Sequence, residues 1–281
     1  MNDRVGLFGM HIDRLTMPEA VAQLMKWVSE PEFECRYVVT PNVNHVVMFQ
    51  KHAGLRAAYA EAGLVLADGF PVVLASRWCG RALPERVTGS DIVPALFSAG
   101  AARGLRVFLL GAAPGVAERA AANIELKWPG VRVVGTYSPP LGFEKQESQN
   151  RLILEKIAAA SPDLLVIGFG APKQELWVHA HAHQVRARVA VCAGATIDFL
   201  AGEKSRAPRW LQNTGLEWLH RVSTEPRRLF RRYAGDGLIF PRLVWRELWA
   251  CRAARKNVKL LVDPRDIPGT VTNKTMARGG R

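Results

Sequence analysis

Short apolar segments alternate with helical segments through residues 1–202, and this alternation constrains the fold more than any other feature of the sequence. The apolar segments are four to six residues long and rich in Val, Ile and Leu, which is typical of strands buried on both faces. They are Arg36–Thr40, Leu64–Ala67, Arg106–Leu110, Val131–Thr136, Leu164–Ile167 and Val189–Cys192. Strands separated by helices predict an α/β fold with a mostly parallel, Rossmann-like sheet and helices on both faces.

Polar residues and glycines follow most of these predicted strands. Thr40, Asn42 and Asn44 lie at or after the end of the first, Asp68 follows the second, and Gly111 follows the third. Because parallel strands end at the same edge of a sheet, ligands usually bind in the crevice outside that edge. The sequence therefore predicts a binding crevice at the carboxyl ends of the strands.

Asp68 is the candidate catalytic base within this crevice. It directly follows the strand Leu64–Ala67 and precedes a glycine, so its carboxylate is expected at the strand end, where it could accept a proton. Thr40, Asn42 and Asn44 supply hydrogen-bonding groups beside it. Two ordinary alternatives are open: Asp68 could cap the next helix, and the three polar residues could form a turn with a helix cap.

The segment Gly111–Gly115 connects a strand to a helix, which is the context in which backbone N–H groups bind phosphate. It lacks the full spacing of a dinucleotide-binding glycine motif. An ordinary tight turn explains this segment equally well.

Two further groups are expected at the same edge of the sheet. The segment Gly170–Glu175 brings the side chains of Lys173, Gln174 and Glu175 to a helix start, with more polar variety than a cap requires. Asp198 follows the last strand and could accept hydrogen bonds from a nucleotide base or ribose. No Asp-x-Asp motif stands at a strand end to hold a divalent cation, so we expect neither a metal nor a cofactor.

The positive charge of the chain is concentrated at one end. The net charge is +13, yet residues 1–202 contain 20 basic and 18 acidic side chains, whereas residues 203–281 contain 18 basic and 7 acidic ones. In the second segment, arginines alternate with Trp, Leu and Phe at helical spacing, as in an interfacial helix. There are too few acidic residues to pair with these arginines, which favours an anionic partner, either lipid or nucleic acid.

These patterns divide the chain into three regions. We expect an α/β core at 1–202, a basic helical appendage at 203–255 and a disordered tail at 256–281. No apolar run is long enough to cross a bilayer, and the four cysteines are scattered rather than paired. With no secretory signal recognisable at the N-terminus, we expect a cytoplasmic protein with reduced thiols.

Five sequence blocks, taken in order, resemble the WecG/TagA/CpsF glycosyltransferases (glycosyltransferase family 26) of bacterial surface-polysaccharide and teichoic-acid synthesis. The resemblance covers about residues 5–247. The blocks are Thr40–His45, Ala67–Pro71, Arg86–Asp91, Gly168–Glu175, and Arg206–Trp210 together with Glu217–Arg221 and Glu225–Arg228.

This resemblance implies an inverting, metal-independent transfer from a UDP-sugar to a polyprenyl-diphosphate-linked saccharide in surface-polysaccharide synthesis. The sugar would be N-acetylmannosamine, its uronic acid, or glucose. The protein would act as a peripheral enzyme on the anionic inner face of the plasma membrane, and it could form a homo-oligomer. Nucleic acid is not expected as a partner.

The resemblance also assigns roles to residues that match the motifs of the family. By this likeness Asp68 is the general base, Thr40 and Asn42 lie in the sugar pocket, and Asn44 belongs to the same block. The others are Arg86 near the diphosphate or acceptor, Gln174 at the substrate, Asp198 at the nucleotide, and Arg221, Arg228 and Arg231 near membrane and acceptor phosphates. The segment Gly194–Thr196 is less glycine-rich than the family pattern.

Two other functions share some of these features. A nucleotide-dependent oxidoreductase would have the strand–turn–helix pattern, but Val131–Thr136 does not end in the acidic residue such an enzyme uses on the ribose. A nucleic-acid-binding protein would have the cationic segment, but nucleic-acid binding does not explain the polar crevice around Asp68.

Overall fold

The predicted α/β fold is confirmed by a computed structural model, which describes residues 3–31, 34–208, 210–211, 216–224 and 226–261. Six parallel strands form one sheet, and two antiparallel strands form an N-terminal hairpin. The order across the large sheet is β4–β3–β8–β7–β5–β6. The strands are β1 Arg4–Leu7, β2 Met10–Asp13, β3 Arg36–Val39, β4 Leu64–Val65, β5 Arg106–Gly111, β6 Arg132–Tyr137, β7 Leu164–Gly168 and β8 Val189–Cys192.

The six predicted strands all occur, each within two residues of its expected ends, whereas the β1–β2 hairpin was not predicted. Its turn uses Phe8 and Gly9, both with positive φ (55° and 82°). Two-residue hairpin turns with positive φ are usually marked by Asn-Gly or Asp-Gly. Because phenylalanine rarely adopts this conformation, the turn carries no recognisable sequence signal.

Helices connect the strands as the alternation predicts. They are α1 Met17–Ser29, α2 Val43–Phe49, α3 Ala53–Ala60, α4 Phe70–Trp78, α5 Gly89–Gly100, α6 Val116–Lys127, α7 Glu147–Ala160, α8 Lys173–His181, α9 Thr196–Leu200, α10 Glu217–Thr224 and α11 Pro226–Leu261. The stretch from Asn44 to Glu61 has a helical sequence pattern throughout, but it forms two helices. His52 ends the continuity because its Nδ1 accepts the Leu55 N–H at 3.1 Å and caps α3.

The sheet is covered on both faces, as expected for parallel strands. Adjacent residues of a strand belong to different hydrophobic clusters: Val39 and Leu110 pack on one side of the sheet, and Val38 and Leu109 on the other. All four side chains are fully buried. This alternation follows from the pleat of a strand, which sends successive side chains to opposite faces.

The C-terminal helix α11 packs against the core. Leu243, Val244 and Cys251 are at most 8% exposed and belong to the cluster that contains the hairpin. Phe240 contacts Phe8 with ring centroids 5.6 Å apart. The inner face of this helix therefore completes the hydrophobic core.

The helix α11 extends to Leu261, and residues 262–281 of the expected tail lie outside the described residues. None of the helices in the described ranges combines the length and apolar character needed to cross a membrane.

Candidate functional site

A cavity of about 320 Å³ lies at the carboxyl ends of β3 and β4, between the sheet edge and the C-terminal helices. Its wall on the side of the sheet includes Asn42, Asn44, Asp68 and Arg86, all of which the sequence singled out. The opposite wall comes from α10 and α11. It includes Glu217, Trp218, Asp236 and Phe240.

Asp68 lies in the turn between β4 and α4. Its N–H donates to the Pro41 carbonyl at 2.9 Å, which joins this turn to the one that follows β3. The N-cap of α4 is Gly69, so Asp68 does not occupy the capping position. Its half-buried side chain lines the cavity, as a general base must.

Asn42 and Asn44 belong to the first turn of α2. Asn42 caps this helix, because its Oδ1 accepts the N–H groups of Asn44 at 3.0 Å and His45 at 3.4 Å. Asn44 donates from Nδ2 to Oδ1 of Asp236 on α11, at 3.3 Å. Asn42 therefore caps a helix and also lines the cavity, so one interpretation does not exclude the other.

Arg86 is part of an ion-pair network that joins the sheet edge to the C-terminal segment. It donates to Glu217 at 2.9 Å and lies 3.8 Å from Asp91. Asp91 in turn receives both terminal nitrogens of Arg206, at 2.6 and 2.8 Å. Two guanidinium groups and two carboxylates alternate in this network, which gives Arg86 acidic partners on both sides.

Hydrogen bonds shift the pKa values of two members of this network, Asp91 and Arg206. Burial alone would raise the pKa of Asp91, but its hydrogen bonds from Arg206 and Thr88 outweigh burial and hold the pKa below its ordinary value. Burial alone would lower the pKa of Arg206, but the hydrogen bonds and charge of Asp91 raise it. Both groups are therefore charged at neutral pH, where they form an ion pair.

Two other predicted binding residues lie behind the cavity wall. Thr40 is buried and donates to the Cys192 carbonyl at 3.4 Å. Gln174 is also buried, and its Oε1 accepts the N–H groups of Gly170 at 3.2 Å and Gly194 at 3.1 Å. The Gln174 amide therefore joins the turns after β7 and β8.

Gly111, Gly170 and Asp198 are not among the described residues that line the cavity. Gly111 has φ +117°, and a Cβ there would lie 2.8 Å from the carbonyl carbon of Gly168. This contact gives a steric reason for glycine at this position. Asp198 lies in the first turn of α9 and pairs with Lys204 at 3.3 Å.

The three predicted tail arginines fall on the helices that follow the core. The backbones of Arg221, Arg228 and Arg231 are helical, but their side chains lie outside the described residues.

Sequence reasoning assigned no place in the cavity to the acidic and aromatic residues of α10 and α11, although Glu217 and Trp218 belong to a block of the family resemblance. Asp236 is 5% exposed and lines the cavity, although it stands in an arginine-rich helical stretch. The glycines on either side of Asp236 are the one available signal, since glycine is unfavourable inside a helix without a packing or functional reason.

Comparison with known proteins identifies the family of this chain. The model of the Glycosyl transferase WecG/TagA/CpsF family matches residues 5–254. An N-acetylglucosaminyldiphosphoundecaprenol N-acetyl-beta-D-mannosaminyltransferase of Bacillus spizizenii is 31% identical over 192 residues, covering 68% of this chain and 72% of the relative. A Staphylococcus aureus protein with the same description is 26% identical over 228 residues, covering 81% and 87%. This chain therefore belongs to the WecG/TagA/CpsF family of glycosyltransferases.

Proposed function

We propose that this enzyme transfers a hexose or N-acetylhexosamine from a UDP-sugar to a polyprenyl-diphosphate-linked saccharide, with inversion, during cell-envelope polysaccharide synthesis. N-acetylmannosamine, its uronic acid and glucose are the candidate sugars. The observation that carries the proposal is the cavity in which Asp68 and Arg86 lie on one wall. The descriptions of both relatives name an undecaprenyl-diphosphate-linked N-acetylglucosamine, which supports an acceptor of this class.

An inverting transfer suits the groups in this cavity. The Asp68 carboxylate removes the proton from the acceptor hydroxyl, and the oxygen attacks the anomeric carbon of the donor. The bond from that carbon to the diphosphate breaks, and UDP leaves with the electron pair. A cationic group beside the leaving diphosphate stabilises the developing charge, and Arg86 is the described cavity residue with that charge.

The pairing of Arg86 with Glu217 determines how a diphosphate would enter. The guanidinium already donates to a carboxylate at 2.9 Å, so a phosphate oxygen must replace or share that partner. Arginine donates through several N–H groups in a planar fork, which permits sharing. Substrate binding would therefore change the contact between Arg86 and Glu217, which lies on α10.

We also propose that the outer face of α11 contacts the anionic inner leaflet of the plasma membrane. Leu238, Arg242, Trp245, Trp249 and Arg252 recur at helical spacing and are all exposed, with Trp245 at 63% and Trp249 at 58%. Tryptophan and arginine are residues that favour a membrane interface, and each arginine contributes about 1 kcal/mol near an anionic surface. The inner face of the same helix packs on the core, which would place the cavity beside the bilayer.

Transfer by the purified full-length protein tests the proposed reaction. UDP-sugars are supplied one at a time with a synthetic polyprenyl-diphosphate N-acetylglucosamine, and both UDP release and the extended lipid are measured. We expect one donor to give product. The NMR spectrum of the product should show an anomeric configuration opposite to that of the sugar in the donor. Free N-acetylglucosamine is the control acceptor, because it lacks the lipid diphosphate. Retention of configuration, equal use of the free sugar, or no product with any UDP-sugar would overturn the proposal.

A further inference from the structure

A chain of hydrogen-bonded polar side chains runs from the half-buried Asn42 at the cavity wall to three buried residues behind it. It consists of Asn42, His45, Glu175 and Gln174, and we call it the polar chain. Oδ1 of Asn42 lies 2.9 Å from Nδ1 of His45, and Nε2 of His45 lies 3.2 Å from Oε1 of Glu175. Gln174 donates from Nε2 to the same Glu175 oxygen at 2.8 Å.

The hydrogen bonds fix the orientation of the Asn42 amide. Backbone N–H groups can only donate, so the atom that receives those of Asn44 and His45 must be the oxygen Oδ1. An oxygen of this kind only accepts, and therefore Nδ1 of His45 carries the hydrogen between them. The Asn42 N–H also points at Nδ1, but at 3.4 Å it is the longer contact.

Oδ1 is thereby used three times within α2, whereas Nδ2 of Asn42 makes no hydrogen bond to any described residue. Because Asn42 lines the cavity, its amide nitrogen is the group left to donate to a ligand there.

Glu175 lies where a carboxyl group is unfavourable. Its side chain is fully buried, and Oε2 has no hydrogen-bond partner among the described residues. Burying a carboxyl group costs free energy unless all its atoms are satisfied, so an apolar residue would serve the core better. One oxygen of Glu175 is nevertheless fully used: Oε1 lies 3.2 Å from Nε2 of His45 and accepts the Gln174 amide at 2.8 Å.

We propose that His45 and Glu175 are positioning residues that hold the Asn42 amide with Nδ2 directed into the cavity, as a donor to a sugar oxygen. Glu175 fixes the imidazole ring through Nε2, and the ring fixes Oδ1 of Asn42 through Nδ1. Through Gln174 the polar chain also reaches the turns after β7 and β8. The role in turnover rests on the glycosyl transfer proposed above.

A matched pair of substitutions separates the two ends of the imidazole. The amide of His45→Asn places a nitrogen where Nδ1 lies and can still donate to Asn42. The longer His45→Gln places a nitrogen where Nε2 lies, which keeps the contact with Glu175 and loses the one with Asn42. We expect kcat/KM to fall about a hundredfold for His45→Gln and less than about fivefold for His45→Asn. Equal losses, or the larger loss for His45→Asn, would overturn the proposal.

A double-mutant cycle shows whether His45 acts through Asn42. In an Asn42→Ala background, His45→Gln should reduce kcat/KM no further, because the group it orients is already absent. A structural role would lower activity equally in both backgrounds and would contradict the inference.

One measurement is independent of turnover. In the ¹⁵N spectrum of the wild-type protein, Nδ1 of His45 should carry a slowly exchanging proton. An unprotonated Nδ1 would refute the proposed orientation even if transfer occurs. Conversely, a wild-type protein that transfers no sugar but shows this proton would overturn the proposed reaction and leave the orientation of Asn42 standing.

Discussion

The carboxyl edge of the sheet has two parts that look alike in sequence and differ in structure. At β3 and β4, the polar turns open into a cavity that α10 and α11 close from the other side. At β5, β7 and β8, the turns are also rich in glycine, and those after β7 and β8 contain polar residues, but these turns pack against one another. A polar turn at a strand end is therefore a candidate site only where the chain leaves space in front of it.

Close packing explains the second part. A Cβ at Gly168 would lie 3.0 Å from Cδ1 of Ile197 and 3.1 Å from the Gly194 carbonyl oxygen. The Gln174 amide then joins the turns that contain Gly170 and Gly194. Glycine permits this approach of backbones, which is a packing role rather than a ligand role.

The edge at β3 and β4 should contain the groups that catalyse the transfer. Replacing the proposed base, Asp68, should therefore reduce activity more than any other single substitution. Asp68→Asn keeps the shape of the side chain but cannot take a proton. We expect kcat to fall by about two to four orders of magnitude, with unchanged thermal unfolding. Product formation measured under saturating donor and acceptor gives the value.

Asp3→Asn is the matched control, because Asp3 is exposed and pairs with Arg14 far along the chain from Asp68. It should retain full activity. Near-normal turnover by Asp68→Asn would show that Asp68 is not the base. The proposed functional difference between the two parts of the edge would then have no support.

Gly111 is the sharpest probe of the second part. Gly111→Ala adds a Cβ at positive φ and 2.8 Å from the Gly168 backbone, so we expect a loss of about 3 kcal/mol in the free energy of unfolding. Gly142→Ala is the control, since Gly142 also has positive φ (+81°) but open space around it. It should cost about 1 kcal/mol.

Chemical denaturation of both variants measures this difference, and UDP affinity is measured on the folded protein. A stable Gly111→Ala that no longer binds UDP would show that this turn binds phosphate after all, as one interpretation of the sequence suggested.

Gln174→Ala tests whether the amide joins turns or contacts a ligand. Its loss leaves two backbone N–H groups without their acceptor, and we expect a destabilisation of about 2 kcal/mol. Gln184→Ala, the same substitution at an exposed position, should change stability by less than about 0.5 kcal/mol. If Gln174→Ala keeps its stability and raises KM, the amide contacts substrate, as the family resemblance implies.

The fold was predictable because each strand is short, apolar and followed by a helix. The turn at Phe8–Gly9 was not predictable, because a Phe-Gly pair does not indicate positive φ at both residues. The split of the predicted helix at His52 was also hidden, because a capping histidine looks like any polar residue in a helix.

The site was predictable on one wall only. Asp68, Asn42 and Arg86 follow strand ends or belong to a polar block, so their sequence context places them at the edge. Asp236 and Trp218 lie on helices whose docking depends on tertiary contacts far along the chain. A charge count identifies the C-terminal segment as cationic, but it says nothing about the acidic residue that this segment directs inward.

The smallest expected effect concerns α11, the helix that closes the cavity at β3 and β4. The prediction is about the outer face of this helix. Truncation after Gly202 is a poor probe, because it would also remove Leu243 and Val244 from the core. Replacing Trp245 and Trp249 by Ser leaves the inner face intact. We expect the double variant to bind vesicles of anionic lipid about tenfold more weakly, or ~1.4 kcal/mol, with unchanged unfolding.

The control is a double variant of two other exposed apolar residues, Leu126→Ser with Leu141→Ser, on α6 and after β6. It should sediment with vesicles as the wild type does. Binding of all three proteins should weaken as salt rises, because the arginines on the same face act through a screened field. If the tryptophan variant binds as tightly as the control, or if binding is indifferent to lipid charge, then α11 closes the cavity without contacting the membrane.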